Sequence, residues 1–481
     1  MKDLKFGHKQ LYLGGSLRES SGGEVFSVVC PGTEEPIATI SWANRQDTET
    51  ALQLAQEGFE YWSLLPLEER LEWIARLRNA ILAKAELLRE SIMFEMGKVW
   101  EGTSEDLESI TDSLAFYSEE IKNRTDIPIA DREGTHEHYM VSQPLGVVVA
   151  FLAYNFPLLN LGFKLGPALA SGCSIIIKPS EFSPLSAYLI GEICAEIGFP
   201  NGVVNILCGD VAQVGIPLCE STIPKLVTMI GSTETAQKLI AQSSRSSIKR
   251  YSMECGGNAP FIVFEDADLE LAMNIGAALK TGNSGQICVA PNRFFVHQSV
   301  FDRFAEGLVE RFEATAVGFG RENSPQMGPL ANRASLEKVA GIVEEAVAQG
   351  GKLRCGGEKI GRKGYFFQPT VIVLDDPGAE VLQKEIFGPV AILVPFENQE
   401  EVLKLANNTH AGLASYVFSK DEARLGYFAE KLEFGEVHLN GVKFGIYLPH
   451  GGIKNSGIGV DCSSFALDDY LVRKRVTRAL V

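Results

Sequence analysis

Apolar positions recur at three and four through residues 49–119, in ALQLAQEGFEYW and LEWIARLRNAILAKAELL. This spacing predicts a run of amphipathic helices with core-facing stripes and solvated charges. Ahead of them, LYLGG, EVFSVV and PIATI read as short strands, and after them IPIADREGTHEHYMVSQPLG predicts two alternating strands around a polar turn. From Val147 the pattern changes to short continuous apolar runs, VVVAFLAY, SIIIKP, VVNILCGD and KLVTMIGS, separated by helical stretches. Ser183-Pro184 predicts an N-cap and first-turn proline for the helix after the second run, and Gly231-Ser232 opens the helix after the fourth. Buried strands alternating with helices imply a parallel sheet with right-handed crossovers. In such a doubly wound layout ligands lie off the carboxyl ends of the strands. A second α/β unit follows in PFIVFED, NRFFVH, FQPTVIVL, AILVPF, ASYVFS and GEVHLN, with a helix from Leu269 to about Lys280 opened by Asp268. The tail ALDDYLVRKRVTRALV alternates polar and apolar and reads as an edge strand, which needs a partner.

Length and charge narrow the class. The 481 residues, 45% hydrophobic and 22% charged, suffice for two or three domains around a large core. A formal charge of −17 argues against nucleic acid or an anionic membrane as partner. The opening MKDLKFGHKQ is too polar for a signal peptide, and the most apolar region, Val147 to Ile177, is broken by Asn155, Pro157, Asn160, Lys164 and Pro167. Nine cysteines without C-x-x-C spacing suit a reducing compartment, hence a cytoplasmic protein, and neither a disulfide framework nor a zinc site. The seven histidines show no metal pattern; His136 and His138, on one side of a strand, read as a solvated pair.

The chemistry concentrates in Thr281 to Arg293, TGNSGQICVAPNR. Gly285-Gln286-Ile287 leads into Cys288 with little bulk, so backbone N–H groups there can approach a bound oxygen. Upstream, Glu254 closes a strand before two glycines in SMECGGNAP. A thiol that attacks a carbonyl and a carboxylate that activates water form a covalent-catalysis pair. Each alone has a plainer reading, the cysteine as a small buried hydrophobe and the glutamate as a solvated strand end.

Together they resemble the aldehyde dehydrogenase superfamily, whose E-x-G-G and G-Q-x-C signatures match Glu254-Cys255-Gly256-Gly257 and Gly285-Gln286-Ile287-Cys288. Asn155 in Tyr154-Asn155-Phe156-Pro157 matches the N-F-P motif, Glu385-Ile386-Phe387-Gly388-Pro389 the E-I-F-G-P motif, and Pro449 to Gly459 the P-F-G-G-x-K-x-S-G-x-G run. The resemblance implies α/β architecture: a variant Rossmann-type cofactor domain over 1–121 and 145–256, and a catalytic domain over 257–464. It also implies a small β oligomerisation element, 122–144 with 465–481, and homodimers or homotetramers. The absence of G-x-G-x-x-G fits the variant sheet. The implied reaction is oxidation of a small-molecule aldehyde to the acid, with Cys288 as nucleophile, Asn155 and the Cys288 N–H as oxyanion donors, and Glu254 activating the hydrolytic water. Branches that pass the acyl group to coenzyme A generally lack this glutamate; such transfer and a non-catalytic binding role are the alternatives.

For the cofactor, the resemblance assigns Lys178 and Glu181 to the adenosine ribose, Ser180 beside them, Gly209 to the adenine side, and Gly231 and Ser232 to the pyrophosphate. Glu385 falls to the nicotinamide ribose and Phe387 to the ring. Glu181 would repel a 2′-phosphate, so NAD is expected, with NADP open through Ser180. Four departures stand out: Ala236 for a glycine, His450 for the common Phe, and Val460-Asp461 for Arg-Glu, leaving Asp461 as a shorter second carboxylate for proton relay. Succinate-semialdehyde oxidisers often carry arginine where this chain has Phe163, although CVAPNR resembles that branch. A terminal carboxylate is therefore not expected to be gripped at Phe163, and Lys443 is the other candidate cation.

Overall fold

The computed structural model describes residues 4–480. Its main sheet has eight strands, of which Arg250–Cys255, Pro224–Gly231, Val147–Phe151, Ser174–Lys178 and Val204–Ile206 run side by side in that order, all parallel. Every residue of Val147–Phe151 is buried, as expected for a sheet covered by helices on both faces. The chain moves outward from 147–151 through 174–178 to 204–206, then returns to lay 224–231 on the opposite side of 147–151. That reversal makes a crevice at the carboxyl ends. The strands ending at Phe151, Lys178, Gly231 and Cys255 all finish around it. The sheet is not purely parallel: Gly457–Ile458 adds antiparallel at one edge, and Leu11–Leu13 and Ser16–Arg18 at the other.

A second sheet of seven strands holds Ala259–Val263, Pro291–His297, Val390–Phe396 and Ala414–Phe418, parallel except for the edge strand Lys352–Cys355. It presents its amino ends to the crevice, since Cys288 precedes Pro291, Gly257 precedes Ala259 and Gly388 precedes Val390. Its two faces pack into separate apolar cores. The predicted helix runs Leu269–Thr281, with the Asp268 carboxylate accepting the Leu271 N–H at 3.1 Å. The tail strand Leu471–Ala479 pairs antiparallel with His136–Pro144 across nine residues, and Ile127–Ile129 lies on the far side of that ribbon. No helix among the described residues is long and apolar enough to cross a membrane.

One local expectation is corrected. The helix after Ser174–Lys178 runs Leu185–Glu196, but Ser183 does not cap it: its hydroxyl donates to the Tyr154 carbonyl at 2.9 Å. The Leu185 and Ser186 N–H groups instead donate to the Glu95 carboxylate at 2.5 and 2.9 Å. Burial pushes Glu95 up to about 7. A cap supplied from a distant helix leaves no trace at the helix start.

Candidate active site

Asn155 sits in the turn from Val147–Phe151 into the helix Pro157–Ser171, whose first position is proline, where no N–H needs a partner. The Leu158 and Leu159 N–H groups donate to the Asp106 carboxylate at 3.0 and 3.2 Å. Asp106 also pairs with Lys98 at 2.5 Å, and the Lys98 ammonium lies 3.4 Å from the Phe156 ring centroid. Both charged side chains are buried, so Asp106→Ala strands an ammonium and two N–H groups. We expect it to cost about 3–5 kcal/mol in denaturant unfolding, as for other broken buried pairs; a loss under 1 kcal/mol would contradict the assignment.

The turn is tied to the cysteine loop. The Asn155 carbonyl accepts from Asn283 Nδ2 at 2.9 Å, and Asn155 Nδ2 donates to the Gln286 carbonyl at 3.1 Å. Asn160 Nδ2 donates to Asn155 Oδ1 at 3.2 Å, which fixes the amide with its N–H groups toward the loop. Asn283, Ser284 and Gly285 take φ of 46°, 57° and 70°, three left-handed residues in succession. Such backbone persists where its surroundings enforce it. Here the Ser284 hydroxyl donates to the Gly328 carbonyl at 2.8 Å, and a Cβ on Gly285 would lie 2.3 Å from the Gly388 oxygen.

Close backbone approach brings the separate motifs together. A Cβ on Gly257 would sit 2.5 Å from the Cys288 carbonyl oxygen, and one on Gly256 would meet both Glu385 oxygens at 2.5 Å. The Ser456 hydroxyl donates to the Gly256 carbonyl at 2.8 Å, and Gly457 pairs with Glu254 in the added edge strand. Of the nine cysteines, all free, eight are buried and only Cys288 is partly exposed.

Around the Cys288 sulfur the structure places Glu254 and His450, with ligand-capable atoms of all three within 4.8 Å of one another. His450 Nε2 lies 4.0 Å from Sγ and 3.4 Å from Glu254 Oε1, and His450 Nδ1 lies 2.6 Å from Glu436 Oε1. Glu254 is 3% exposed, and its Oε1 accepts no hydrogen bond from the protein. Burial and the Glu254 charge push the Cys288 thiol up to about 12, against the pull of His450. Burial opposes the charged form of His450, yet its contacts with Cys288, Glu254 and Glu436 raise it well above the ordinary imidazole value. Asp461 is placed differently from the other carboxylates: both its oxygens accept from Lys164, at 2.5 and 2.7 Å, with both side chains buried. Its backbone exchanges two 2.7 Å hydrogen bonds with that of His450. In the sequence His450 stands out only as a departure from a motif, and nothing there singles out Glu436.

On the cofactor side, Lys178 and Glu181 approach to 3.8 Å at a strand end, and the Ser180 hydroxyl accepts the Phe182 N–H at 3.3 Å. Ser232 caps the helix Thr233–Ser243 through Thr235 N–H at 3.2 Å, while the Ala236 methyl packs into the core. Gly231, half-buried, would admit a Cβ in ordinary contact with Met229. Gly209 is buried, and a Cβ there would meet the Ala43 oxygen at 2.3 Å, so packing alone requires glycine. Glu385 Oε1 accepts the Gly257 N–H at 3.2 Å, and burial raises this carboxyl to about 7. Phe387 packs edge-on to Tyr154, ring centroids 6.0 Å apart.

Residues 17–476 match the model of the Aldehyde dehydrogenase family. The chain is 36% identical to the mitochondrial succinate-semialdehyde dehydrogenase of Arabidopsis thaliana over 465 residues, covering 96% of this chain and 88% of that one. It is 33% identical to the NADP+-dependent succinate-semialdehyde dehydrogenase of Escherichia coli (strain K12), over 98% of each. Among solved structures, betaine aldehyde dehydrogenase from Staphylococcus aureus in complex with NAD+ superposes with a TM-score of 0.95 at 31% identity, covering 98% of this chain and 95% of that one. The protein belongs to the aldehyde dehydrogenase family.

Proposed function

We propose that this NAD(P)-dependent aldehyde oxidoreductase is of the hydrolytic type, converting its aldehyde to the carboxylic acid through an acyl-thioester on Cys288. The observation that carries this reading is the convergence of the one partly exposed cysteine with the buried carboxylate of Glu254. Sulfur attacks the carbonyl carbon, and the resulting oxyanion is met by Asn155 Nδ2 and the Cys288 N–H. Lys178, Glu181 and Ser180 would hold the adenosine end of the cofactor, Gly231 and Ser232 the pyrophosphate, and Glu385 with Phe387 the nicotinamide end. Bound NAD(P)+ supplies the hydride acceptor. Glu254 then takes a proton from the water that hydrolyses the thioester. Its presence favours hydrolysis over transfer to coenzyme A. The Glu181 carboxylate favours NAD, with NADP accepted more weakly. An NADH absorbance assay over an aldehyde panel tests the reading; no aldehyde-dependent signal would refute it. A chelator is expected to leave the rate unchanged.

For substrate we infer a small aldehyde of the semialdehyde type, as in the relatives' names. The cations near the site are already committed, Lys164 to Asp461 and Lys98 to Asp106, and the ring of Phe163 packs 6.2 Å from that of His450. Exposed Lys443, in the loop leading to His450, is left to meet a carboxylate at the mouth. An exposed ion pair is worth about 1 kcal/mol. The expected preference for succinate semialdehyde over butanal is thus at most about tenfold in kcat/KM, and absent in Lys443→Ala. A thousandfold preference would contradict it.

The 136–144 ribbon, with Ile127 and Ile129 exposed at 50% and 41% on its outer strand, supports assembly into dimers or tetramers. Light scattering after gel filtration would test this, a monomer at micromolar concentration counting against it. Nine free cysteines support a reducing, cytoplasmic setting.

A further inference from the structure

We propose that His450, held by Glu436, is a catalytic residue that stands as a cation beside the Cys288 sulfur and stabilises its thiolate, so that nucleophile stabilisation and water activation are divided between His450 and Glu254. The proposal rests on Cys288 being the nucleophile.

The geometry supplies each part. Cys288 lies among apolar and acidic neighbours that disfavour an anion: Glu254 adds negative charge, and burial removes solvent. A sulfur so placed needs a cation beside it to stand as thiolate. His450 Nε2, at 4.0 Å from Sγ, is that group. Its two nitrogens each face a carboxylate, Nδ1 at 2.6 Å from Glu436 and Nε2 at 3.4 Å from Glu254, which favours the doubly protonated ring with its Nε2–H edge toward sulfur. Glu436 is itself fixed by His438, whose Nε2 lies 3.2 Å from Oε2, and His438 stacks on Tyr416 with ring centroids 5.0 Å apart. The Tyr416 hydroxyl donates to the carbonyl of Val289, next to the nucleophile, at 2.8 Å. An isolated antiparallel bridge to Asp461 pins the main chain at His450. Thiol, imidazole and carboxylate thus form a line in which the third member orients the second.

The S–H bond breaks with its proton passing to solvent, leaving a thiolate beside the imidazolium. The sulfur lone pair forms the C–S bond as the carbonyl π electrons move to oxygen. That oxygen re-forms the double bond as hydride leaves the carbon for the oxidised nicotinamide cofactor. Glu254 is left for the hydrolytic water. The imidazolium is faced by Glu254 and Glu436, and at longer range by Asp461, Cys462 and Tyr416, with Lys164 neutralising Asp461. The balance around the ring is acidic, which favours the proton on nitrogen.

Alkylation of Cys288 by iodoacetamide tests this without aldehyde or cofactor, so its outcome is separable from that of the functional reading. The other cysteines are buried, and peptide mass spectrometry assigns the modified site. In the native protein the rate should inflect at lower pH than in a variant that lacks the His450 cation. His450→Phe, the residue common in the family, should move the inflection up by about one unit or more, slowing alkylation at pH 7 about tenfold. Glu436→Gln should give a smaller shift, partly reversed by Glu436→Asp. Thermal melting and NADH binding confirm that each variant is folded, and His450→Gln replaces His450→Phe if that variant is not. Superimposable pH profiles for the native and His450-substituted proteins would overturn the proposal. A shift in the His450 variants with none in Glu436→Gln would overturn the orienting role of Glu436.

Discussion

Cys288→Ala is expected to abolish aldehyde-dependent NADH formation while leaving NAD binding intact. The loss should be at least about 10⁴-fold, the scale seen when a covalent nucleophile is removed and only binding and oxyanion donors remain. Selectivity follows from position: Cys288 lies between the loop at Gly285 and the strand Pro291–His297, whereas Lys178, Glu181 and Ser232 stand at the ends of the other sheet. Removing one sulfur creates no buried cavity of consequence, because Cys288 is partly exposed. Isothermal titration with NAD+ checks the second half of the expectation. Lost binding together with lost turnover would mean that the substitution had disturbed the loop, and turnover surviving at a tenth of the native rate would remove Cys288 from the mechanism.

Glu254→Gln separates the two half-reactions. Glu254 is nearly inaccessible, so the amide replacement keeps the volume while it removes the basicity and the charge that faces His450. A burst of NADH approaching one equivalent per site should persist, followed by a steady state slowed about 10²–10⁴-fold, the range for a lost general base. If the His450 cation holds the thiolate, the burst should remain fast. A burst lost in proportion to the steady state would instead make Glu254 the base for both steps.

The fold was legible because its signals are local. The continuous apolar runs at 147–151 and 174–178 became buried parallel strands, and Asp268 caps its helix three residues ahead, as short-range chemistry dictates. What stayed hidden was supplied across long sequence distances. Glu95 caps the helix at Leu185, and Asp106 caps the helix at Pro157, so neither helix start carries its own partner. Ser183, a plausible cap by sequence, donates to Tyr154 instead because the Glu95 carboxylate already receives those N–H groups. The site divides the same way. Cys288, Glu254 and Asn155 lie in short motifs, whereas Glu436 opens an ordinary strand and acquires meaning only when the loop at 440–449 returns His450 to it. Gly209 shows the converse: a glycine assigned to a ligand has a sufficient reason in its approach to Ala43.

The most direct measurement is peptide mass spectrometry of Glu254→Gln quenched within seconds of mixing with NAD+ and a turned-over aldehyde. The expected result is an acyl group, the aldehyde less one hydride, on the peptide bearing Cys288. NADH released in a full burst with Cys288 unmodified would contradict covalent catalysis at this sulfur.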